Sequence, residues 1–120
     1  MPKFETDKDR ARQHSAVRTF CYEYSFYEND MGEFSAVDYS IHNKKGRTVA
    51  YFEVKGCPNK LLRNTETVIV SIRKIQKLQE HQEVSGVPVI ICWAFEDVIC
   101  FTKIDDIKGN IFMGERKGRP

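Results

Sequence analysis

Two neighbouring stretches in the middle of the chain alternate apolar and polar residues with the period of two that is typical of β-strands. The first runs from Phe34 to His42, and the second closes with Glu53, Val54 and Lys55 after a turn signal at Lys45-Gly46. One face of the pair is apolar and contains Val37, Tyr39, Ile41, Ala50, Phe52 and Val54. The pattern therefore predicts a β-hairpin with one face packed on a core.

Two further segments have the periodicity of amphipathic helices. The first runs from Thr6 to about Tyr24, with the threonine placed to cap its N-terminus. The second ends near Gly86, because glycine is a favoured C-cap and Pro88 blocks continuation of the helix. Its start stays open between a first turn at Thr65 and an N-cap at Ser71. The stripe along the first helix contains Gln13, Val17, Phe20 and Tyr24.

Two apolar runs follow the second helix and predict two more strands. Val87–Phe95 is almost continuously apolar, as expected for a central strand that is covered on both faces, and Val98–Ile104 is the next strand. The polar segment Ser25–Glu33 is predicted as a loop. A helical crossover from the Glu53 strand makes that strand parallel to Val87–Phe95. The order of elements predicts an α/β protein with a mixed β-sheet flanked by helices.

The composition is that of a soluble globular protein, with 41% hydrophobic residues in a chain whose 120 residues suit one domain. The net charge is only +2, so any nucleic-acid partner would have to bind through local basic clusters rather than through the overall charge of the protein. The N-terminus lacks a secretory leader and no apolar run is long enough to span a bilayer, so we expect a cytoplasmic protein without a membrane partner. The four cysteines lack zinc-site spacing and are expected to be reduced, with Cys92 and Cys100 buried.

The polar face of the hairpin carries the candidate chemistry. If Lys45-Gly46 is the two-residue loop, Asp38 lies opposite Glu53, and a four-residue Asn43–Gly46 loop shifts the pairing by two positions but keeps the same face. Lys55 shares that face, because side chains alternate along a strand. The spacing thus predicts two carboxylates and one ammonium on one side of the hairpin.

Two carboxylates that face each other need a cation. At an effective dielectric constant near 20, two unit charges about 4 Å apart repel by roughly 4 kcal/mol. The cation is either Lys55 or a divalent metal such as Mg²⁺, which favours one or two carboxylates together with water and phosphate oxygens. The alternative is a solvated face on which Glu53 and Lys55 form a weak surface pair. Spacing alone does not decide between these two interpretations.

The order of elements, together with Asp38, Glu53 and Lys55, resembles the PD-(D/E)XK nuclease superfamily, which shares a restriction-endonuclease-like αβββαβ core. The segments Val70–Leu78 and Ser85–Pro88 extend the resemblance to small phage or prophage nucleases that are similar to Holliday-junction resolvases. The resemblance implies a single nuclease-like domain over residues 1–120, with its core at about 6–104 and a short basic C-terminal tail. It also implies a location in the cytoplasm of a bacterial or phage-infected host cell.

The resemblance implies a Mg²⁺-dependent DNA endonuclease in which Mn²⁺ can replace Mg²⁺. Asp38, Glu53 and the backbone carbonyl of Val54 would hold the metal, and Lys55 would orient the attacking water or stabilise the pentacovalent phosphorane. Cleavage could be structure-selective, in the manner of junction resolvases. Symmetric cutting of two strands would require a homodimer.

One position departs from the family pattern. Many relatives carry a metal-binding glutamate on the first helix where this chain has Gln13, whose carbonyl can coordinate a metal but adds no charge. Asp9 lies one turn earlier and could substitute. A glutamine at the core edge is equally compatible with the sequence. This departure keeps open a second hypothesis, in which the chain is a non-catalytic DNA- or protein-binding module that retains the nuclease fold.

Several basic residues are candidates for DNA contacts. The resemblance implies that Lys74, at the start of the second helix, faces the active site, where the helix N-terminus also attracts phosphate. The other candidates lie before or after the second strand of the hairpin in sequence, and an ordinary surface charge explains each of them, taken individually, better than a DNA contact does. They are Lys44, Lys45, Lys60 and Arg63, with Arg47 beside them.

Overall fold

The computed structural model describes residues 7–32, 35–57, 61, 64 and 70–109 of the chain. Its elements, in chain order, are α1 (Asp7–Tyr24), β1 (Tyr27–Asp30), β2 (Tyr39–His42), β3 (Thr48–Gly56), α2 (Ile72–Ser85), β4 (Val89–Ala94), β5 (Ile99–Lys103) and a 3-10 helix (Ile104–Asp106). The predicted N-cap Thr6 and almost all of the predicted basic tail lie outside the described residues.

The five strands form one mixed sheet in the order β1-β2-β3-β4-β5. β3 and β4 are parallel, and every other neighbouring pair is antiparallel. One face of the sheet packs on α1, through a cluster that includes Val17, Cys21, Ile41, Phe52 and Val54. The other face packs on α2, through a cluster that includes Val37, Leu78, Ile91 and Trp93. The predicted α/β fold with a mixed sheet between helices is confirmed.

Both ends of α2 agree with the sequence. The helix begins immediately after Ser71, one of the two starts that the sequence left open. It ends at Gly86, whose left-handed conformation (φ 70°) lets its N–H donate to the Gln82 carbonyl at 2.9 Å. The Gln82 side chain accepts a hydrogen bond from the Val89 N–H and donates one to Asp105 Oδ1, both at 2.9 Å. This one glutamine ties the C-terminal end of α2 to the start of β4.

The predicted loop over Ser25–Glu33 is wrong in part, because it contains the strand β1. Ser25 terminates α1 in a left-handed conformation (φ 57°), and the Phe26 N–H donates to the Cys21 carbonyl at 2.8 Å. β1 is a sheet edge that pairs with β2 alone, and its residues Tyr27–Asp30 are largely exposed. Such a strand needs no apolar alternation, so its sequence is similar to that of a loop.

The first arm of the hairpin is shorter than the alternation predicts. β2 begins at Tyr39, residues 35–38 form bends, and Phe34 lies outside the described residues. Val37 packs in the cluster on the α2 face, whereas Tyr39 belongs to the α1 face. The prediction that Val37 shares the face of Tyr39 is therefore wrong, because the strand alternation does not extend through the bends.

The hairpin turn matches neither predicted loop. The Gly46 N–H donates to the Asn43 carbonyl and the Asn43 N–H to the Arg47 carbonyl, both at 3.0 Å. The ladder pairs His42 with Thr48 and Ile41 with Ala50, which leaves a one-residue bulge in β3. Beyond the bulge, the register is the one that the two-residue loop would produce. Phe52 accordingly pairs with Tyr39.

All four cysteines are free, and Cys92 is buried as predicted, whereas Cys100 is only partly buried. Burial in the apolar core raises the pKa of the Cys92 thiol from its ordinary value of 9.0 to about 12, with smaller contributions from Cys100 and Cys57. This thiol is protonated at neutral pH and is not a nucleophile. Neither helix in the described part of the chain is long and apolar enough to cross a membrane.

We expect the free energy of unfolding to decline as pH rises from about 9 toward 12, because the Cys92 thiol ionises near 9.0 in the unfolded chain but near 12 in the folded protein. Below the lower value both states are protonated and the stabilisation is fully present. One thiol contributes a slope of at most about 1.4 kcal/mol per pH unit. Urea unfolding at a series of pH values measures it. The Cys92→Ala protein should show a shallower decline, and equal slopes would contradict this account.

Candidate active site

Asp38 and Glu53 lie where β2 and β3 separate. The β2–β3 ladder ends at the pair of Tyr39 and Phe52, and the Asp38 N–H donates to the Phe52 carbonyl at 2.9 Å. Asp38 lies in the bends that precede β2, one residue before this last pair, and Glu53 is the residue that follows Phe52 on β3. The Asp38 carbonyl in turn accepts a hydrogen bond from the Met31 N–H at 2.9 Å. The backbone of Asp38 is thus held from both sides.

The backbone of β3 fixes the carboxylate of Asp38. The Val54 N–H donates to Asp38 Oδ2 at 2.8 Å, so a side chain takes the place of the neighbouring strand at this point. The Tyr51 N–H points to the opposite side of β3, where it donates to the Pro88 carbonyl at 2.9 Å. Because the N–H and C=O of one strand residue point to the same side, the Val54 carbonyl is directed toward the side of Asp38.

Lys74 of α2 contacts the second carboxylate. Its Nζ lies 3.0 Å from Glu53 Oε2, and the two side chains are 38% and 17% exposed. The structure therefore places Lys74 against the candidate site, as the resemblance implied. The ion pair itself has no signal in the sequence, because the two residues are far apart along the chain and meet only when α2 packs on the sheet.

Lys55 is exposed and lies two residues after Glu53 on β3. Strand alternation places both side chains on the same face of the sheet. Their neighbours Tyr51 and Cys57 belong to the cluster on the α2 face, which identifies that face. An ammonium group and a carboxylate are therefore presented together beside the N-terminal part of α2, open to an incoming ligand.

The oxygen atoms at this edge suit Mg²⁺. The donor set consists of the carboxylates of Asp38 and Glu53 and the carbonyl of Val54, which is the combination of hard ligands that leaves room for water and phosphate oxygens. Among the described residues, no group of three or more His, Cys, Asp or Glu side chains could hold a metal ion, so that part of the chain does not form a closed, zinc-type site. In the structure, the cation beside this carboxylate is the Lys74 ammonium, 3.0 Å from Glu53 Oε2.

Gln13 lies toward the other face of the sheet. Its Nε2 is 3.5 Å from the position that a Cβ on Gly56 would occupy. Because side chains alternate along β3, a Cβ on Gly56 would point to the α1 face, as the Val54 side chain does. Glu53 and Lys55 are directed to the opposite face, which packs on α2. The structure therefore does not bring the amide onto the face of Glu53 and Lys55, and metal binding by Gln13 stays a prediction.

The predicted DNA-binding residues separate into three groups. Lys74 lies at the site, as described above. Lys44 and Lys45 are exposed in the hairpin turn, at the end of β2 away from Asp38, a distance of about 17 Å for five strand residues. The turn residues thus flank the site in sequence but not in space. The remaining two, Lys60 and Arg63, lie outside the described residues.

His42 and Tyr51 hold structural positions close to the hairpin. The His42 ring is engaged on both nitrogens, with Nε2 2.8 Å from Ser40 Oγ and Nδ1 3.3 Å from Thr48 Oγ1. These contacts span the β-bulge. Tyr51 packs edge-on against His81 of α2, with ring centroids 4.5 Å apart. Both aromatic side chains therefore support the hairpin and its packing.

We expect Asp38→Ala to lower the free energy of unfolding by about 1–3 kcal/mol, because it leaves the partly buried Val54 N–H without its acceptor. Asp38→Asn keeps an oxygen at the same position and should retain most of the stability. Urea unfolding of the two variants, compared with the unmodified protein, measures the difference. Equal destabilisation by the two substitutions would show that this hydrogen bond does not stabilise the edge.

A comparison with known protein families identifies the family of the chain. A model of the family described as "Phage putative PDDEXK endonuclease" matches residues 1–120, the full length of the sequence. No match was found among curated proteins. The five-stranded mixed sheet with a helix on each face is compatible with a restriction-endonuclease-like fold. The chain belongs to this phage PDDEXK endonuclease family.

Proposed function

We propose that this protein is a metal-dependent DNA endonuclease that hydrolyses phosphodiester bonds. The observation that supports it most directly is the hydrogen bond from the Val54 N–H to Asp38 Oδ2, which holds that carboxylate against the strand residue next to Glu53, with the Val54 carbonyl directed to the same edge. The family match over the whole chain supports nuclease activity in general. The metal, the DNA substrate and the roles of the individual residues belong to the proposal.

Each residue of the site has a defined task in this proposal. Asp38, Glu53 and the Val54 carbonyl hold Mg²⁺, or Mn²⁺ in its place, and Gln13 stays a further candidate ligand. The bound metal supplies positive charge to the phosphate and makes water easier to deprotonate. Lys55 donates hydrogen bonds to the attacking water or to the phosphorane oxygens, where its charge favours the transition state.

In this proposal, Lys74 would exchange Glu53 for a phosphate of the DNA when the metal binds. In the structure its ammonium neutralises Glu53, whose carboxylate is one of the proposed metal ligands. With a divalent cation bound to that carboxylate, Lys74 would be repelled, and its ammonium would be available to contact an incoming phosphate. Lys74 would therefore neutralise Glu53 before the metal binds and would contact the phosphate afterwards.

The proposed substrate is DNA, and branched DNA is a candidate because of the resemblance to junction resolvases. Symmetric cutting of a junction would require a homodimer. The rival function is a non-catalytic binding module. Gln13 favours the rival, because the first helix contributes an amide on the α1 side where many relatives have a glutamate.

We expect the purified protein to cleave DNA only when Mg²⁺ or Mn²⁺ is present, and EDTA should abolish cleavage. Glu53→Gln and Lys55→Met should each lower the cleavage rate by at least about 100-fold, because each removes a charge that acts on the transition state. Branched, linear and single-stranded DNA, separated on gels after incubation, provide the assay.

Matched controls come from α2, where Glu80 and Lys77 are exposed. Glu80→Gln and Lys77→Met remove the same charges and should leave the rate within about twofold of the unmodified protein, as expected for exposed surface residues that have no role in the proposed reaction. Tight DNA binding without cleavage under either metal would favour the non-catalytic module instead.

We expect Lys74→Met to move metal affinity and cleavage in opposite directions. Without DNA, the variant should bind Mg²⁺ or Mn²⁺ about 2–10-fold more tightly, because the competing ammonium is gone. At saturating metal, it should cleave about tenfold more slowly, because a phosphate contact is lost. Isothermal titration calorimetry measures the first quantity and initial rates measure the second.

The Lys77→Met protein is the control for both measurements, since it removes a lysine of the same helix that is exposed. A Lys74→Met protein with unchanged or weaker metal binding would mean that the ion pair with Glu53 is only structural. The role of Lys74 would then be rejected, whether or not the protein cleaves DNA.

A further inference from the structure

The turn of the β2–β3 hairpin carries three exposed cations on a backbone that hydrogen bonds hold in place. Asn43 Oδ1 accepts hydrogen bonds from the N–H groups of Lys45 and Arg47, both at 3.0 Å. Two backbone hydrogen bonds close the same turn, and Gly46 supplies its left-handed residue (φ 81°). Lys44, Lys45 and Arg47 are therefore exposed on a loop whose backbone is already fixed, so little backbone entropy is lost when a ligand binds.

These cations line a shallow groove of about 480 Å³ together with Ser25 and Asn43. The groove contains no acidic side chain among its lining residues, and its three positive charges lie within four consecutive positions of the chain. The positive charge of this groove therefore favours anionic ligands.

Two exposed aromatic residues are close in sequence to Ser25, one of the residues that line the groove. Tyr24 immediately precedes Ser25 in the chain and Tyr27 follows it by two residues. The side chain of each tyrosine is 59% exposed. The Tyr24 ring is held against Phe20, with ring centroids 4.7 Å apart. Tyr27 pairs across the sheet with His42, the residue that precedes the turn. Single-stranded nucleic acid is bound by cations that contact its phosphates together with exposed aromatic rings on which its bases stack, and this end of the hairpin has both residue types within a few positions of the groove residues.

We propose that the hairpin turn is a binding site for a single-stranded DNA arm of the substrate. The inference rests on the proposed nuclease function and specifies its substrate class. The second arm of the hairpin connects Arg47 to Glu53 over six strand residues, or about 20 Å, so one DNA molecule can contact both the turn and the carboxylates. The preferred substrate is DNA with a single-stranded segment on one side of the cut phosphate.

The test is direct binding by the full chain in EDTA, where no cleavage occurs. Fluorescence anisotropy with labelled oligothymidine should show binding that weakens with salt. Changing Lys44, Lys45 and Arg47 together to Gln should weaken binding at low salt by at least about tenfold. It should also reduce the slope of log K against log salt by about 2, since each contacted phosphate contributes roughly 0.7 for a single strand.

Two further variants sharpen this test. A control protein with Lys77, Lys103 and Lys108 changed to Gln loses the same charge from exposed positions elsewhere and should keep the slope within about 1 of the unmodified protein. Tyr24→Ser combined with Tyr27→Ser should weaken oligothymidine binding roughly tenfold and leave binding to blunt duplex DNA unchanged. Thermal unfolding of each variant verifies that it is folded.

Several results would overturn the proposal. They are the absence of oligothymidine binding, equal losses in the turn variant and the charge control, and a tyrosine variant that binds oligothymidine normally. Displacement of the DNA by polyglutamate at equal charge would show a general anion surface instead. Cleavage activity is scored separately, so a nuclease whose turn variant binds normally refutes this inference alone, whereas a protein that binds through the turn but never cleaves refutes only the nuclease proposal.

Discussion

The hydrogen bond from the Val54 N–H to Asp38 Oδ2 is the contact on which the geometry of the site depends. β2 turns away before it reaches Val54, which would leave the backbone groups of that residue without a strand partner. The aspartate side chain satisfies the N–H, and the carbonyl beside it stays directed toward the same opening. The Asp38 carboxylate thus takes the place of the next strand residue and is held in one orientation by the Val54 N–H. Its oxygens and the Val54 carbonyl lie along the same edge.

The register of the hairpin was predictable even though its turn was not. The alternation from Tyr39 to Ile41 and from Ala50 to Val54 fixes which face is buried, and a slip by one residue would expose Phe52. Turn geometry is decided by smaller energies, so the chain could adopt a longer turn and restore the register with a bulge, which His42 braces. The pairing of Tyr39 with Phe52 therefore followed from burial rather than from the turn sequence.

Other features had no comparable signal. β1 is polar because it lies at the sheet edge, and Val37 changes face because the backbone bends just before β2. The contact between Lys74 and Glu53 depends on how α2 sits on the sheet, a tertiary arrangement that hydrophobic periodicity does not encode. Sequence patterns thus gave the order and faces of most elements, whereas the cation on the carboxylate required the packed structure.

The unequal attachment of α2 has a mechanical consequence. Its C-terminal end is anchored by Gly86 and by both ends of the Gln82 side chain, whereas the Ser71 side chain forms no capping hydrogen bond within the part of the chain that the structure describes. The first turn is therefore the less constrained end, and it carries the lysine that contacts the carboxylate. A small pivot about the anchored end would displace that ammonium while leaving the sheet, and the Glu53 carboxylate on it, undisturbed.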